Sequence, residues 1–349
     1  MRVYSISYDI YSLFCVFFVC AGKNSANRDA PFLPFTSLCI HEERLFEMTQ
    51  TRTAFISIVG CPNVGKSSLL NRMLGQKIAI VSDKPQTTRT RIMGVLTQEE
   101  TQLVFTDTPG FHRPHNKLGE KMIKAVGDSI ADVDACLFVV EPQGELRQAE
   151  QELIKRFQAE KLPVILAINK IDTLARKELL MERILKFSAL YDFTAVVPVS
   201  ALKGDGVTDL LAELKKLSTP SMHFFPDDTL TDQPERVIAA EIIREKLLRL
   251  LDKEVPHGVA VSIEKMKERE NGIIDIDATI FCERDTHKGI IIGKGGAMLK
   301  RVGTYARADM EQFFGGKINL KLWVKVKEDW RNREGLLRNF GYSQSDFDQ

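Results

Sequence analysis

Apolar residues along the chain change their spacing, and the changes mark its domains. From Thr53 to about Leu217, short continuous runs rich in Val, Ile and Phe alternate with longer stretches whose apolar positions recur every three or four residues. The runs cover residues 54–60, 102–108, 135–141, 163–170 and 195–200. Unbroken apolar runs of this length predict strands covered on both faces, as in a parallel sheet. Stretches such as 118–133 and 146–160 predict amphipathic helices between them. The βαβα alternation predicts a doubly wound, mostly parallel α/β domain over residues 51–220.

Residues 218–235 carry three prolines and little periodicity. They predict a linker, bounded here as 221–235. A strongly amphipathic helix is expected from Arg236 onward, then strands over 259–266 and 273–283 separated by the turn-like "ERENG". A glycine-bearing stretch, a helix over 304–314, an alternating strand over 318–326 and a basic tail complete the chain. The order α-β-β-α-α-β predicts a second, smaller α+β domain over residues 236–349. No internal repeat or low-complexity segment interrupts it.

Composition changes this picture little. Lys plus Arg number 48 against 47 Asp plus Glu, so charge has to be read regionally. The six cysteines are scattered without a CxxC pair, which suits free thiols in a reducing compartment. The six histidines have no metal-ligand spacing, so any metal is expected to be a hard cation held by oxygens. Residues 1–50 form an extension with an apolar run at 11–22, too short to span a bilayer comfortably. Two readings stand for it: translation starting at Met48, or a short targeting or anchoring segment.

The stretch "GCPNVGKSS", Gly60 to Ser68, fits G-x-x-x-x-G-K-[ST] where a strand ends and a helix begins. Glycines there let backbone N–H groups, including those of Asn63, Val64 and Gly65, wrap phosphates at a helix N-terminus. Lys66 is expected to reach the β- and γ-phosphates, and the Ser67 hydroxyl to ligate magnesium. Three further strand ends sharpen the expectation. In "DTPG", Asp107 can hold magnesium through water and the Gly110 N–H can contact the γ-phosphate. In "NKID", Asn169 to Asp172 including Lys170, the Asp172 carboxylate can accept from guanine N1–H and the 2-amino group, which adenine cannot match. In "SALKG", Ser200, Ala201 and Leu202 line the same end, with the Ala201 N–H directed to guanine O6. The ligands expected are therefore GTP, GDP and Mg2+.

A second glycine stretch, "KGIIIGKGGAMLK", spans 288–300. It fails the first pattern: Gly289 and Gly293 are separated by three residues rather than four, and Gly295 replaces the hydroxyl residue. It satisfies G-x-x-G at Gly293, Lys294, Gly295 and Gly296, which suits a clamp on a nucleic-acid backbone between two helices. From Arg284 to Arg338 there are thirteen Lys or Arg against six Asp or Glu, a local basic footprint. Trp323, Met298 and Leu299 are expected in the core rather than as base-stacking groups.

With these motifs in order, the first domain resembles the translation-factor-like class of P-loop GTPases, and the second a type II KH domain. "PNVGKSSLLN", "QTTRTR", "DTPGFH" and the ending "VKEDWRNREGLLRNFGY" together resemble the Era family, from Met48 to about Tyr342. The resemblance implies GTP hydrolysis and a role in small ribosomal subunit maturation, with the KH domain on the 3′ end of small-subunit ribosomal RNA. It implies RNA contacts at Ile292, Gly293, Lys294, Gly295, Gly296, Lys300 and Arg301. "QTTRTR" resembles the first switch, whose threonine completes the magnesium shell; Thr88 or its neighbour Thr87 fills that role. Phe111 stands where many small GTPases carry a water-orienting glutamine. Asn63 matches the asparagine with which some relatives of that kind hold potassium. The catalytic group is thus Lys66, Asn63, Thr88 and Gly110. The family further implies a monomer in the cytoplasm, with peripheral association at the inner face of the cell membrane.

Overall fold

The computed structural model describes residues 51–342 except 85, 111–115, 132 and 177. The expectations for the N-terminal extension and for Phe111 lie outside the described residues. Strand β1 (Arg52–Val59) leads through the first glycine loop into helix α1 (Lys66–Leu74). Strands β2 (Ile92–Gln98) and β3 (Thr101–Asp107) follow as an antiparallel pair, then α2 (Lys117–Ala131) and β4 (Ala135–Val140). The unit closes with α3 (Gln148–Glu160), β5 (Val164–Ile168), α4 (Glu178–Ser188), β6 (Ala195–Pro198) and α5 (Val207–Lys216). The order across the sheet is β2-β3-β1-β4-β5-β6, parallel from β3 to β6. All six residues of β4 and all five of β5 are buried, as continuous apolar runs require when helices cover both faces.

Two strands escaped the hydrophobic pattern. β2 is an edge strand, half-exposed toward its end, and carries Gly94, Thr97 and Gln98 among its apolar positions. β7 (Thr219–Pro220) is two residues long and pairs antiparallel with the start of β1. The segment expected as a linker runs on along this sheet rather than away from it. Thr53 Oγ1 donates to Met222 O, Leu230 O accepts from Val95 N–H, and Thr231 Oγ1 donates to Met93 O. The Phe224 ring packs edge-on against Phe55.

The second unit begins with α6 (Glu235–Leu250), followed by β8 (Ala260–Glu268), β9 (Ile273–Cys282) and α7 (Asp285–Ile292). The second glycine loop connects α7 to α8 (Ala297–Phe314), and β10 (Lys317–Val326) and α9 (Glu334–Asn339) complete it. Its sheet has the order β10-β9-β8, with β10 parallel and β8 antiparallel to β9. One face packs α6, α7 and α8 over Ile276, Ala278 and Ile280.

Helix α6 departs from its expected form. Its apolar side enters the core, but Arg244, Glu245 and Lys246 on the other side are buried as well. An amphipathic pattern implies a solvated polar side; here that side is pressed on residues 77–87 of the first unit. Lys77 Nζ donates to Glu245 Oε2 at 2.6 Å and to Asp309 Oδ2 at 2.9 Å. Glu245 Oε1 accepts from the Val81 N–H at 3.0 Å, while Arg244 donates to the carbonyls of Gln86 and Thr87. Buried charges persist only when paired this completely.

Candidate functional site

The first glycine loop owes its path to residues that a side chain would obstruct. Gly60 has φ of 151°, and a Cβ built there would stand 2.3 Å from Val139 O. Gly65 has φ of 97°, with a Cβ falling 2.3 Å from Asn169 Nδ2. Non-glycine residues could adopt neither position without displacing backbone or the neighbouring strand end. The loop therefore closes tightly against β4 and the Asn169 turn. Gly110 makes a third close approach: a Cβ built there would fall 2.7 Å from Pro62 Cα.

Lys66, at the start of α1, is buried and donates to Gly60 O and Cys61 O, both at 3.0 Å. Burial depresses its pKa, an effect opposed by the nearby Asp107 carboxylate. Ser67 Oγ donates to Asp107 Oδ2 at 2.6 Å, and lies 2.9 Å from Thr88 Oγ1, which itself reaches Asp107 Oδ2 at 3.3 Å. Asp107 Oδ1 is buried without a partner among the described residues, and burial raises the pKa of this carboxyl. Three convergent oxygens, one on a carboxylate whose other oxygen is unsatisfied, fit a hard divalent cation of the Mg2+ kind. Of the two threonines expected for the first switch, Thr88 is the one brought to this cluster. Thr87 turns away, donating from Oγ1 to Lys84 O at 2.6 Å.

A cavity of about 400 Å3 lies over these groups, lined among others by Asn63, Gly65, Lys66, Ser67, Thr88 and Gly110. A second, of about 610 Å3, adjoins it through Gly65, Ser68 and Lys170 and extends to Asp172, Ala201 and Leu202. The two together connect the end expected to take phosphates with the end expected to take a base. At the base end Asn169 Nδ2 donates to Val64 O at 2.9 Å, tying this turn to the phosphate loop. Ser200 Oγ donates to Asp172 Oδ1 at 2.6 Å, holding the carboxylate expected to read guanine. The Ala201 N–H donates to Asn169 Oδ1 at 3.0 Å, bracing the two turns against each other. The Asn169 side chain thus uses both ends of its amide as structural braces.

Several contacts around the site are not encoded in the motifs. Lys170 Nζ donates to Asn63 O at 2.5 Å and to Glu141 Oε1 at 2.7 Å, and Arg72 donates to the carbonyls of Ala201 and Leu202. Asn63 Nδ2 donates to Asp83 O at 2.6 Å, linking the phosphate loop to the first switch. Arg89, next to Thr88, is almost wholly buried and points the other way. It donates to Val259 O at 2.6 Å and His257 O at 2.9 Å, at the entry to β8. Its guanidinium lies 5.7 Å from the Trp330 ring centroid and 5.9 Å from that of Tyr342. The only sign of this in the chain was its place inside "QTTRTR".

The second glycine loop is built differently. Gly293 has φ of 73°, and a Cβ there would come within 2.7 Å of Met298 Cβ, so the close turn into α8 requires glycine. Gly295 and Gly296 are also at positive φ, but a Cβ at either would meet open space. Lys294, Lys300 and Arg301 are exposed, and Ile292 is half-buried beside them. Met298 and Leu299 pack against the core as expected. Trp323 does not: it is 45% exposed, because its strand alternates and its odd positions face away from the helices.

Among the described residues there is no cluster of His, Cys, Asp or Glu of metal-binding form, and no helix is long and apolar enough to cross a membrane. Residues 55–170 match the family model "50S ribosome-binding GTPase", and residues 254–331 match "KH domain". The chain is 51% identical over 293 residues to GTPase Era of Clostridioides difficile (strain 630), covering 84% of this chain and 99% of that one. It is 50% identical over 291 residues to GTPase Era of Ruminiclostridium cellulolyticum, covering 83% and 97%. Among solved structures it is similar to an Aquifex aeolicus Era variant bound to GDP·AlF4−, with TM-score 0.81, 38% identity and coverage of 84% and 100%. It is equally similar, at TM-score 0.81 and 38% identity, to Era in complex with MgGDPNP and nucleotides 1506–1542 of 16S ribosomal RNA, covering 84% and 99%.

Proposed function

The chain belongs to the Era family of GTPases, and we propose that it hydrolyses GTP at its first glycine loop while its KH domain holds the 3′ end of small-subunit ribosomal RNA during subunit maturation. The observation that carries the enzymatic half is the convergence of Ser67, Thr88 and Asp107 beside buried Lys66. In hydrolysis a water oxygen bonds to the γ-phosphorus as the bond to the β–γ bridging oxygen breaks, giving GDP and phosphate. Lys66 neutralises charge on the phosphates, and its burial strengthens that attraction. Magnesium, held by Ser67, Thr88 and Asp107, would supply further charge neutralisation there. Asp172, braced by Ser200, selects guanine.

Phe111 has no group to hydrogen-bond the attacking water. Asn63 would hold a potassium ion, which would add to the charge compensation; the support is the resemblance, together with the Asn63 amide nitrogen being committed to Asp83 O, which leaves the side-chain oxygen as its remaining ligand. The KH half of the reading is supported by the positive-φ loop, by exposed Lys294, Lys300 and Arg301, and by the RNA complex of the similar Era structure. Thr88 and Arg89 join the halves: one faces the magnesium cluster and its neighbour is buried against the KH domain. The reading includes a monomer resident in the cytoplasm; among the described residues Cys61, Cys136 and Cys282 are free buried thiols, which suits a reducing compartment. Peripheral attachment to the inner face of the cell membrane is carried over from the family and is tested by fractionation.

The test is GTP turnover by the full chain in potassium buffer, with and without a small-subunit RNA 3′-end oligonucleotide. Magnesium-dependent turnover and RNA binding are expected together. RNA binding without turnover would reduce the protein to an RNA-binding module.

A further inference from the structure

The KH sheet has a face that the glycine loop does not use. Along β10, Ile318, Leu320, Leu322, Val324 and Val326 pack toward the helices. Asn319, Lys321, Trp323 and Lys325 alternate with them and so stand on the opposite side. At one end this side is closed, where Phe281 and Ala260 pack with Trp330, Leu337 and Phe340. Beyond that end it is open, and a tryptophan 45% exposed is the largest group on it.

Register defines the surroundings of that ring. Trp323 is paired with Thr279, which is paired in turn with Ser262. The next row reads Lys321, Asp277, Lys265, so the one carboxylate in it has a lysine in register on each side. In the following row Asp275 is held by Arg269 at 2.6 Å and by the Asn319 amide at 2.7 Å. Lys265, Lys267, Lys321 and Lys325 are exposed, and among the described residues none has an ion-pair partner within 4.0 Å. Asp275 is thereby paired, and among these residues Arg269 and the four lysines outnumber the two carboxylates, Asp275 and Asp277, leaving an excess of positive charge around an exposed indole.

We propose that this open sheet face is a second contact surface for single-stranded RNA, with a base stacked on Trp323 and phosphates on Lys321 and Lys325. An aromatic ring flanked by exposed cations matches both parts of a nucleotide: any base offers a π-face, and the backbone offers negative charge. β10 is the edge strand of its sheet, and α7, which ends in the glycine loop, packs against it from the other side. A strand held by the loop would reach this face by passing over that edge. The inference rests on the KH loop being an RNA clamp and extends its footprint to the opposite side of the sheet.

The experiment uses the full chain and the 3′-end RNA of nucleotides 1506–1542. The protein has two tryptophans, and Trp330 is buried with its N–H on Gly258 O, so quenchable emission comes from Trp323. RNA addition should quench that emission and shield it from iodide. A Trp323→Ala, Lys321→Ala, Lys325→Ala variant should bind the RNA about tenfold more weakly, the stacking loss alone corresponding to that range. Its salt slope should also fall by the equivalent of about two phosphate contacts. Circular dichroism and Trp330 emission check that the variant is folded. A Lys294→Asp, Gly295→Asp variant serves as the second arm. Wild-type affinity in the triple variant and no RNA quenching of Trp323 in the wild type, alongside loss of binding in the loop variant, overturn the inference and leave the loop reading intact. Wild-type binding in both variants overturns the loop reading as well. Quenching by RNA together with a weakened triple variant supports the face as proposed, and retention of quenching by a duplex alone contradicts its single-strand preference.

Discussion

The two glycine loops share a composition and differ in almost every physical respect. At the first, glycine is required on both sides by close backbone and side-chain neighbours, and the functional side chains around it are buried and bonded to one another. At the second, only Gly293 is constrained by packing, while Gly295, Gly296 and the basic side chains face solvent. A free triphosphate is small, so its site can enclose it and place each charge. A polymer has to enter and leave along its length, so its loop stays open and works through backbone approach and exposed charge. Glycine content alone does not report which of the two a loop does; what surrounds it does.

The largest expected effect follows from the enclosed loop. Lys66→Ala removes the cation buried beside Asp107 and should lower GTP affinity or turnover at least a hundredfold, about 3 kcal/mol by the usual conversion. RNA binding by the KH domain in the absence of nucleotide should be spared, as measured by filter binding in parallel. Next comes Arg89→Ala, which leaves the carbonyls of Val259 and His257 without their donor. The expected loss is about 2–4 kcal/mol of stability in denaturant unfolding. In any folded fraction, RNA affinity should become less sensitive to nucleotide, because Thr88 has lost its neighbour's anchorage. If nucleotide dependence is unchanged in Arg89→Lys, a variant that retains the charge but not the forked geometry, the link runs elsewhere.

A smaller effect separates the ions. Asn63→Ala should remove any advantage of potassium over sodium in GTP turnover; equal rates in the two salts for the wild type would exclude a potassium role. The smallest concerns His257, whose pKa is depressed by burial and then by Arg89, Lys84, Arg331 and Arg244. The unfolded chain therefore binds more protons than the folded one just below the ordinary imidazole value of 6.5. Stability should rise with pH through that window and flatten above it, and His257→Gln should weaken the slope. Thermal midpoints between pH 5 and 7 check the sign.

Much of this comparison was legible in the chain because it rests on local chemistry. The strand-ending motifs carry Lys66, Asp107, Asp172 and Ser200 at fixed places, and uninterrupted apolar runs mark the buried parallel strands. What escaped depends on contacts distant in sequence. The polar side of α6 looks solvated in a helical pattern, yet Glu245 pairs with Lys77, 168 residues away. Arg89 sits in a recognisable motif, but nothing local says that its guanidinium is buried near Val259. Trp323 was expected in the core because large aromatics usually bury there, whereas strict alternation puts it on the side that no helix covers. β2 was missed because edge strands tolerate polar residues, which breaks the signal used to find them. Asn169 and Ala201 were placed at the base pocket by their motifs, but their mutual hydrogen bond is a tertiary arrangement that no motif encodes.

The division of labour between the loops is tested most directly by one crossed titration on the full chain. Labelled GTP and the 1506–1542 RNA are each titrated into wild type, Lys66→Ala, and Lys294→Asp, Gly295→Asp proteins. The account predicts that the first variant loses GTP and keeps RNA, while the second loses RNA and keeps GTP. A second-loop variant that loses GTP, or that binds RNA like wild type, would contradict it.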